Sequence, residues 1–212
     1  QTKRPDEILV ISDCDTEHEP QTRNVVLEAS TTLFGVRLLK NQRTKNLSGA
    51  INTGLYTCIQ NGLVLESTYI AILDDDDEWV PEYLAECLKV AESEGCDVVV
   101  SGLIRHEKAG DAGLPLTIPE TLTVHDFLIR NPHVQGSNLF VRLSTLLRAG
   151  GFDESLESTT DRDICIRLLD LDTCHIGFVR KHLVHHWAIP DTNRLSEPKS
   201  SRKIQGLSGF YR

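Results

Sequence analysis

No methionine occurs anywhere in the 212 residues, position 1 included, so the chain is expected to be processed or partial. No basic block is present either: 22 Lys and Arg stand against 31 Asp and Glu, a net charge of −9. That balance argues against nucleic acid as the main partner, yet leaves a nucleotide open, because a bound metal can supply local positive charge. The longest apolar runs, Ile8-Leu-Val-Ile11 and Val98-Val-Val100, are strand-length. They fall well short of the ~18 residues of a membrane span, and no signal-peptide pattern is read. The six cysteines, at 14, 58, 87, 96, 165 and 174, include no Cys-x-x-Cys pair, and most of them lie in apolar segments. Buried reduced thiols in a cytoplasmic protein are the expectation, with the inner membrane face as the alternative location. Repeats, low-complexity tracts and linkers are also missing, and the length suits one well-buried domain or at most two small ones.

What is present is an alternation of strand and helix signals. Ile8 to Ser12 reads as a strand, Pro20 to Thr32 as a helix with Leu33 on its apolar side, and Gly35 to Leu39 as a second strand. Ser48 is a candidate N-cap for a helix ending near Asn61-Gly62. Tyr69 to Leu73 forms a third strand, Pro81 to Glu94 a helix, and Asp97 to Leu103 a fourth strand. This β-α-β-α-β-α-β order predicts an α/β fold with a mostly parallel sheet covered by helices. Beyond Leu103 the pattern loosens into a loop to Leu122. It resumes with a short helix after Thr123, a strand over Gly136 to Arg142, and a helix from Leu143 to Arg148. A helix starting at Thr160 or Asp161 and strands at Cys174 to Phe178 and His182 to His186 follow. The tail after Pro190, rich in Ser, Lys and Arg, is weakly specified.

The chemistry concentrates in Leu73-Asp-Asp-Asp-Asp-Glu-Trp79, where four aspartates meet the end of a strand. Like charges crowded together need solvent or a cation, and ligands of open α/β sheets bind at the carboxyl ends of strands. Asp74 and Asp76, two apart, share a side if strand geometry persists. Two hard oxygen ligands with room for phosphate oxygens suit Mg²⁺ or Mn²⁺ in a nucleotide site. The competing reading makes Asp77 and Glu78 the acidic start of the following helix.

Three segments in order carry a resemblance: Glu7-Ile-Leu-Val-Ile-Ser-Asp-Cys-Asp15; Asn46-Leu-Ser-Gly-Ala-Ile-Asn-Thr-Gly54 with Leu73 to Trp79; and Gly150-Gly-Phe-Asp-Glu-Ser-Leu156 with Thr160-Asp-Arg-Asp163. Together they resemble a family 2 glycosyltransferase of the GT-A fold over residues 5 to 187. The resemblance implies a single such domain, residues 1–104 forming a donor-nucleotide half, 105–190 an acceptor half and 191–212 a tail. It further implies inverting, Mn²⁺- or Mg²⁺-dependent transfer from a nucleoside-diphosphate sugar, a UDP-sugar first among them, to a hydroxyl acceptor.

By the same resemblance Asp13 contacts the donor base (the alternative is a turn aspartate), and Asn52 lies on a helix beside the donor. Asp74 and Asp76 match the Asp-x-Asp motif, with Asp76 on the metal and Asp74 near the ribose; Asp75 and Asp77 are auxiliary candidates. Asp161 matches the general base, its usual glutamate neighbour being Thr160 here, and Asp163 is the competitor as a capping or Arg-paired carboxylate. The family's Arg before Asn52 is Ile51, so that contact is either lost or supplied by Lys45 or Arg43. Gly136-Ser137-Asn138 is either an acceptor-side loop or a strand-entry turn, and His185 or His186 falls where relatives carry a histidine near the donor phosphates. The family's first strand and first helix have no counterpart, which leaves a non-catalytic nucleotide- or partner-binding remnant as the alternative function. A sugar-phosphate nucleotidylyltransferase would require a Gly-rich basic phosphate loop, and none is read.

Overall fold

The computed structural model describes residues 1–13, 19–30, 35–189 and 201–211. Cys14, Thr32, Leu33 and the stretch 190–200 lie outside the described residues. The chain divides into two compact units, Arg4–Leu63 and Val64–Arg212 together with Gln1–Lys3.

In the smaller unit, β1 (Ile8–Ser12) and β2 (Val36–Lys40) pair in parallel, from Ile8 opposite Val36 to Ser12 opposite Lys40. α1 (Glu19–Ser30) provides the crossover that parallel strands require, and α2 (Leu47–Gln60) follows β2. The N-cap of α2 is Asn46, whose side chain accepts the Gly49 N–H at 2.8 Å. Ser48, the expected cap, is instead fully buried inside the first turn. Asn46 is at least as good a cap and sits one residue before the helix, where its oxygen can reach back to the third N–H. Gly62, at φ 71°, ends the segment as expected.

The larger unit holds a six-stranded sheet in the order β3 (Tyr69–Ala71), β7 (Leu139–Arg142), β5 (Val98–His106), β8 (Ile176–Trp187), β4 (Glu78–Trp79), with β6 (Leu114–Pro115) on β5. Of these pairings only β5–β8 is parallel. The expectation of a mostly parallel sheet is therefore corrected to a mixed one. The alternation that suggests parallel strands ends at β5, and β7 enters from a 3-10 turn (Gly136–Asn138) rather than from a crossover helix. The two late strands are one, β8, which pairs with β5 on both sides of an irregularity at Gly102.

α3 (Tyr83–Glu94) covers one face of this sheet. Its Tyr83, Cys87 and Ala91 pack with Val99, Leu103, Phe140, Val179 and Val184. Residues alternating with these, Val98, Val100, Leu139 and Val141, are equally buried, as a sheet covered on both faces requires. α4 (Val124–Ile129), capped reciprocally by Thr123 and Asp126, packs with α6 (Thr160–Leu169). The boundary expected at 104/105 falls inside β5. The weakly specified tail contains a helix, α7 (Ser201–Phe210). Cys58, Cys87, Cys96 and Cys165 are buried free thiols, and Cys174 is a partly buried one.

Candidate metal and carboxylate site

The acidic run is a turn, not a strand continuation. β3 stops at Ala71, and the Asp77 N–H donates to the Asp74 carbonyl at 3.2 Å. The chain then re-enters the sheet as β4, so Glu78 lies in a strand. α3 starts only at Tyr83, after its N-cap Glu82, which removes Asp77 and Glu78 from any helix terminus. The turn nonetheless gathers ligand oxygens of Asp74, Asp76 and Asp77 within 4.8 Å of one another, and Asp75 is not among them.

The 3-10 turn holds this acidic turn in place. Ser137, fully buried, accepts the Asp74 N–H at 3.1 Å and donates to the Asp77 carboxylate, while its carbonyl accepts Trp79 Nε1–H at 2.7 Å. Trp79 in turn stacks on Tyr83, with ring centres 4.3 Å apart, which locks the far side of the turn to α3. Next to Ser137, the Gly136 N–H donates to Asp161 Oδ1 at 3.0 Å. A Cβ placed on Gly136 would stand 3.6 Å from Asp161 Oδ1 and 3.8 Å from Asp74 Oδ1. The two carboxylates thus face one small space beside a glycine.

Asp161 reaches that space because of how α6 is anchored. α5 (Leu143–Arg148) ends in Gly150 and Gly151, both at positive φ, where a side chain would be strained. Arg167 donates to the Ala149 and Gly151 carbonyls and pairs with Asp163, one helical turn earlier. Asp163 therefore serves as the Arg-paired carboxylate of the first helical turn, and the Gly-Gly segment is the structure it braces. Asp161, two residues before, projects elsewhere.

Three carboxyls show how differently the site treats its acids. Burial and the neighbouring Asp161, Asp77, Asp76 and Asp75 charges push Asp74 up to about 8. Burial likewise raises Asp161 to about 6, against the opposing pull of the Gly136 N–H, His186 and Lys203. Burial would raise Asp77 too, but hydrogen bonds from His186 and Ser137, the His186 charge and the Trp187 N–H outweigh it and hold Asp77 below the usual range. His186 Nδ1–H donates to Asp77 Oδ1 at 3.1 Å, and the Trp187 N–H does so at 3.2 Å.

The donor set fits a hard divalent cation. It consists of carboxylate oxygens alone, on a turn whose shared negative charge keeps Asp74 from ionising until a cation offsets it. Asp74, Asp76 and Asp77 each offer an oxygen to such a cation, and Asp77 is at the same time oriented by His186, Ser137 and Trp187.

The two histidines part company. His186 faces the acidic turn, whereas His185 Nδ1 meets His106 Nε2 at 2.8 Å, and His106 Nδ1–H donates to Asp111 at 2.6 Å. Asp13, partly buried, Lys45, exposed, and Asn52, buried, belong to the smaller unit. Arg43 lies over the Tyr56 ring at 4.6 Å. No helix among the described residues is long and apolar enough to cross a membrane.

The fold of the chain has counterparts among solved structures. The protein of S. aureus named TarS, as its 1–349 fragment in complex with UDP-GlcNAc, matches at a TM-score of 0.65 and 16% identity, over 92% of this chain and 53% of that one. A mannosyltransferase from Pyrobaculum calidifontis, in complex with GDP-Man and Mn²⁺, matches at 0.61 and 16%, over 97% and 55%. The fold is GT-A. Residues 1–146 match the model of glycosyl transferase family 2, and the chain belongs to that family. An uncharacterized glycosyltransferase of Haemophilus influenzae is 23% identical over 172 residues, which is 80% of this chain and 54% of that protein. The chain thus spans about half the length of the relatives it matches. The family match ends before α6, so Asp161 stands on its geometry alone.

Sequence reasoning missed the pairing of His186 with Asp77, the service of Ser137 to both Asp74 and Asp77, and the helix α7. Only α7 left a signal, the stripe Lys203, Gly206, Leu207, Phe210 at helical spacing.

Proposed function

We propose that the protein transfers a sugar from a nucleoside-diphosphate donor to an acceptor hydroxyl, with inversion, using a divalent cation. The observation that carries this reading is the common space at Gly136, where Asp161 Oδ1 and Asp74 Oδ1 converge. A transferase of this kind needs one carboxylate to take the hydroxyl proton and another set to hold the cation on the diphosphate, close together but distinct. Asp161 is the base. Its raised pKa of about 6 places it near neutral pH, where a general base is both deprotonated and basic enough to work. The Gly136 N–H fixes Oδ1 and leaves the second oxygen for the acceptor. Asp74 and Asp76 hold the cation, Mn²⁺ or Mg²⁺, which when bound offsets the charge of the departing diphosphate. Asp77, with His186 and Ser137, positions the turn. For Asp13 and Asn52 the assignment to the donor nucleotide rests on their sequence motifs, with Lys45 as a substitute for the family's Arg at Ile51, and UDP is the first nucleotide to try.

The test is calorimetry of UDP, GDP, dTDP and CDP with and without Mn²⁺, joined to transfer assays with the matching sugar donors. Asp161→Asn should abolish transfer while donor binding stays within about tenfold, or ~1.4 kcal/mol. A chain that binds a donor but transfers nothing, hydrolysis of the donor included, would be a binding remnant instead.

A further inference from the structure

Asp161 follows a stretch of backbone that costs energy to hold. Thr159, the residue before α6, sits at φ 72°, a left-handed conformation that a β-branched side chain adopts only under strain. Such a turn persists where its surroundings fix it, and here α7 touches the chain on both sides of it. Before the turn, a Cβ on Gly206 would fall 2.1 Å from Ser158 Oγ and 2.7 Å from Ser158 N, and one on Gly209 would touch Leu156 at 3.2 Å. The two glycines thus seat α7 closely on residues 156–158. After the turn, Arg162 lies over the Phe210 ring at 4.6 Å and donates to the Tyr211 hydroxyl at 3.0 Å. That hydroxyl donates in turn to the Leu128 carbonyl at 3.0 Å.

Arg162 makes the second contact matter. It is buried, and its guanidinium donates from Nε to the Phe127 carbonyl at 2.8 Å and from Nη2 to the Leu128 carbonyl at 3.1 Å, both in the last turn of α4. A buried charge depends on such partners, and α7 adds a ring and a hydroxyl to them. Successive helical residues stand about 100° apart, so one turn of α6 sends Asp161 to Gly136 and Arg162 to α4 and α7. Contacts on two sides fix the rotation of that turn, which one contact alone leaves free. The Gly136 N–H meets Asp161 Oδ1 at 3.0 Å only while the rotation is kept. We propose that α7 is a strap that positions the base: seated on Ser158 and clasped to Arg162 through Phe210 and Tyr211, it holds the left-handed turn at Thr159 and keeps the Asp161 carboxylate on Gly136. Arg162 and Tyr211 are then positioning residues. The strap's effect on rate rests on the transferase reading above, in which Asp161 is the base; its hold on Gly136 does not.

Tyr211→Phe is the mild probe, because it keeps the ring and removes only the hydroxyl between Arg162 and Leu128. Two readouts are taken on the full chain. NMR of isotope-labelled protein follows hydrogen exchange of the Gly136 amide, with the Trp79 indole N–H, bonded to Ser137 in the same 3-10 turn, as internal control. Initial rates with Mn²⁺ and the sugar donor that wild type uses give kcat and KM. In Tyr211→Phe the Gly136 amide should exchange about tenfold faster with the Trp79 N–H unchanged, and kcat should fall about fivefold with donor KM within about twofold. Thr159→Gly by itself should raise the urea midpoint, since glycine adopts this φ without strain. Added to Tyr211→Phe, it should return kcat and Gly136 exchange to within about twofold of wild type, because the turn no longer needs a strap. Unchanged exchange and kcat in Tyr211→Phe overturn the proposal, as does an equal loss of kcat and donor affinity, the mark of general loosening. A lowered midpoint in Thr159→Gly, or its failure to rescue, overturns it too. If wild type transfers no sugar, the transferase reading falls separately, and the Gly136 exchange alone decides for or against the strap.

Discussion

Two loops of the larger unit each carry a partly exposed aspartate, Asp111 and Asp74, and they treat it in opposite ways. In the loop after β5, Asp111 accepts the N–H groups of Glu107, Lys108 and Gly113 and the His106 Nδ1–H, and these donors draw it down to about 2. In the turn after β3, Asp74 is partly buried among other acids and pushed up to about 8. The first carboxylate is satisfied by the fold and closes a loop. The second is left by the fold in need of positive charge, which is the condition of a ligand site. Asp77, three residues beyond Asp74, resembles Asp111 in being held low by a histidine and backbone. The contrast is therefore one of environment, not of sequence neighbourhood.

The sharpest way to break the comparison is to neutralise the two acids separately. Asp74→Asn should lower transfer by about 10²-fold or more, since an oxygen on the cation is lost. The metal-free chain should keep its stability, because an acid that burial and its neighbours' charges hold protonated is replaced by a neutral amide of the same shape. Asp111→Asn should do the reverse, lowering the thermal midpoint and leaving donor and Mn²⁺ affinity unaltered. Activity assays and thermal melts on both variants check this, and an Asp74→Asn chain that unfolds while Asp111→Asn loses catalysis would invert the assignment.

Ser137→Ala tests the link between the satisfied and unsatisfied acids of the turn. The serine is fully buried, donates to Asp77 and accepts from the Asp74 N–H. Removing it leaves buried groups unpaired, at a cost of about 1–3 kcal/mol in denaturant melts. A cost near zero would mean that water takes over both bonds.

Gly136→Ala asks for less. The new methyl would contact Ile72 at 3.4 Å and stand 3.6 and 3.8 Å from the Asp161 and Asp74 oxygens. These are ordinary contacts, so stability should stay within about 1 kcal/mol. The methyl nevertheless occupies the space both carboxylates face, and transfer should fall about tenfold. Full activity would move the reacting atoms away from Gly136.

How much of this could be read from the residues follows the same division. The strands β1, β2 and β5, helices α2 to α6 and the Asp74 and Asp76 grouping were legible, because apolar periodicity and clustered charge are local signals. The mixed pairing was not, since strand direction depends on which connections cross the sheet. Asp74 and Asp76 come together through a turn and not through the alternation of a strand, so the expected grouping holds for a different geometric reason. The state of each acid was hidden as well. Four identical residues in a row carry no mark that Asp77 meets β8, Asp74 meets only its fellow acids, and Asp75 joins no cluster. α7 was obscured by a stripe interrupted by two glycines, residues that weaken a helix in isolation and here permit its close approach.

The smallest expected effect concerns the satisfied carboxylate and its dependence on pH. Asp111 is lowered from 3.8 to about 2, first by the Glu107 N–H, then by His106, Lys108 and Gly113. A carboxyl depressed on folding binds fewer protons in the native state than in the unfolded state at acid pH. Its contribution to stability is accordingly present in full above the unfolded value and drains away as pH falls through the folded one. The difference in urea midpoint between wild type and Asp111→Asn should therefore be constant at and above neutral pH and narrow as pH drops from about 4 toward 2. His106 sharpens the expectation: its Nδ1–H serves Asp111 while its Nε2 meets His185, so the loop is tied to β8 through one imidazole. His106→Phe should keep the stacking on Trp187, at 4.1 Å between ring centres, but lose the donor to Asp111. It should consequently shrink the same acid-side difference without touching Mn²⁺ binding at the Asp74 turn. A midpoint difference that persists unchanged to pH 2 would show that Asp111 acts through shape rather than charge.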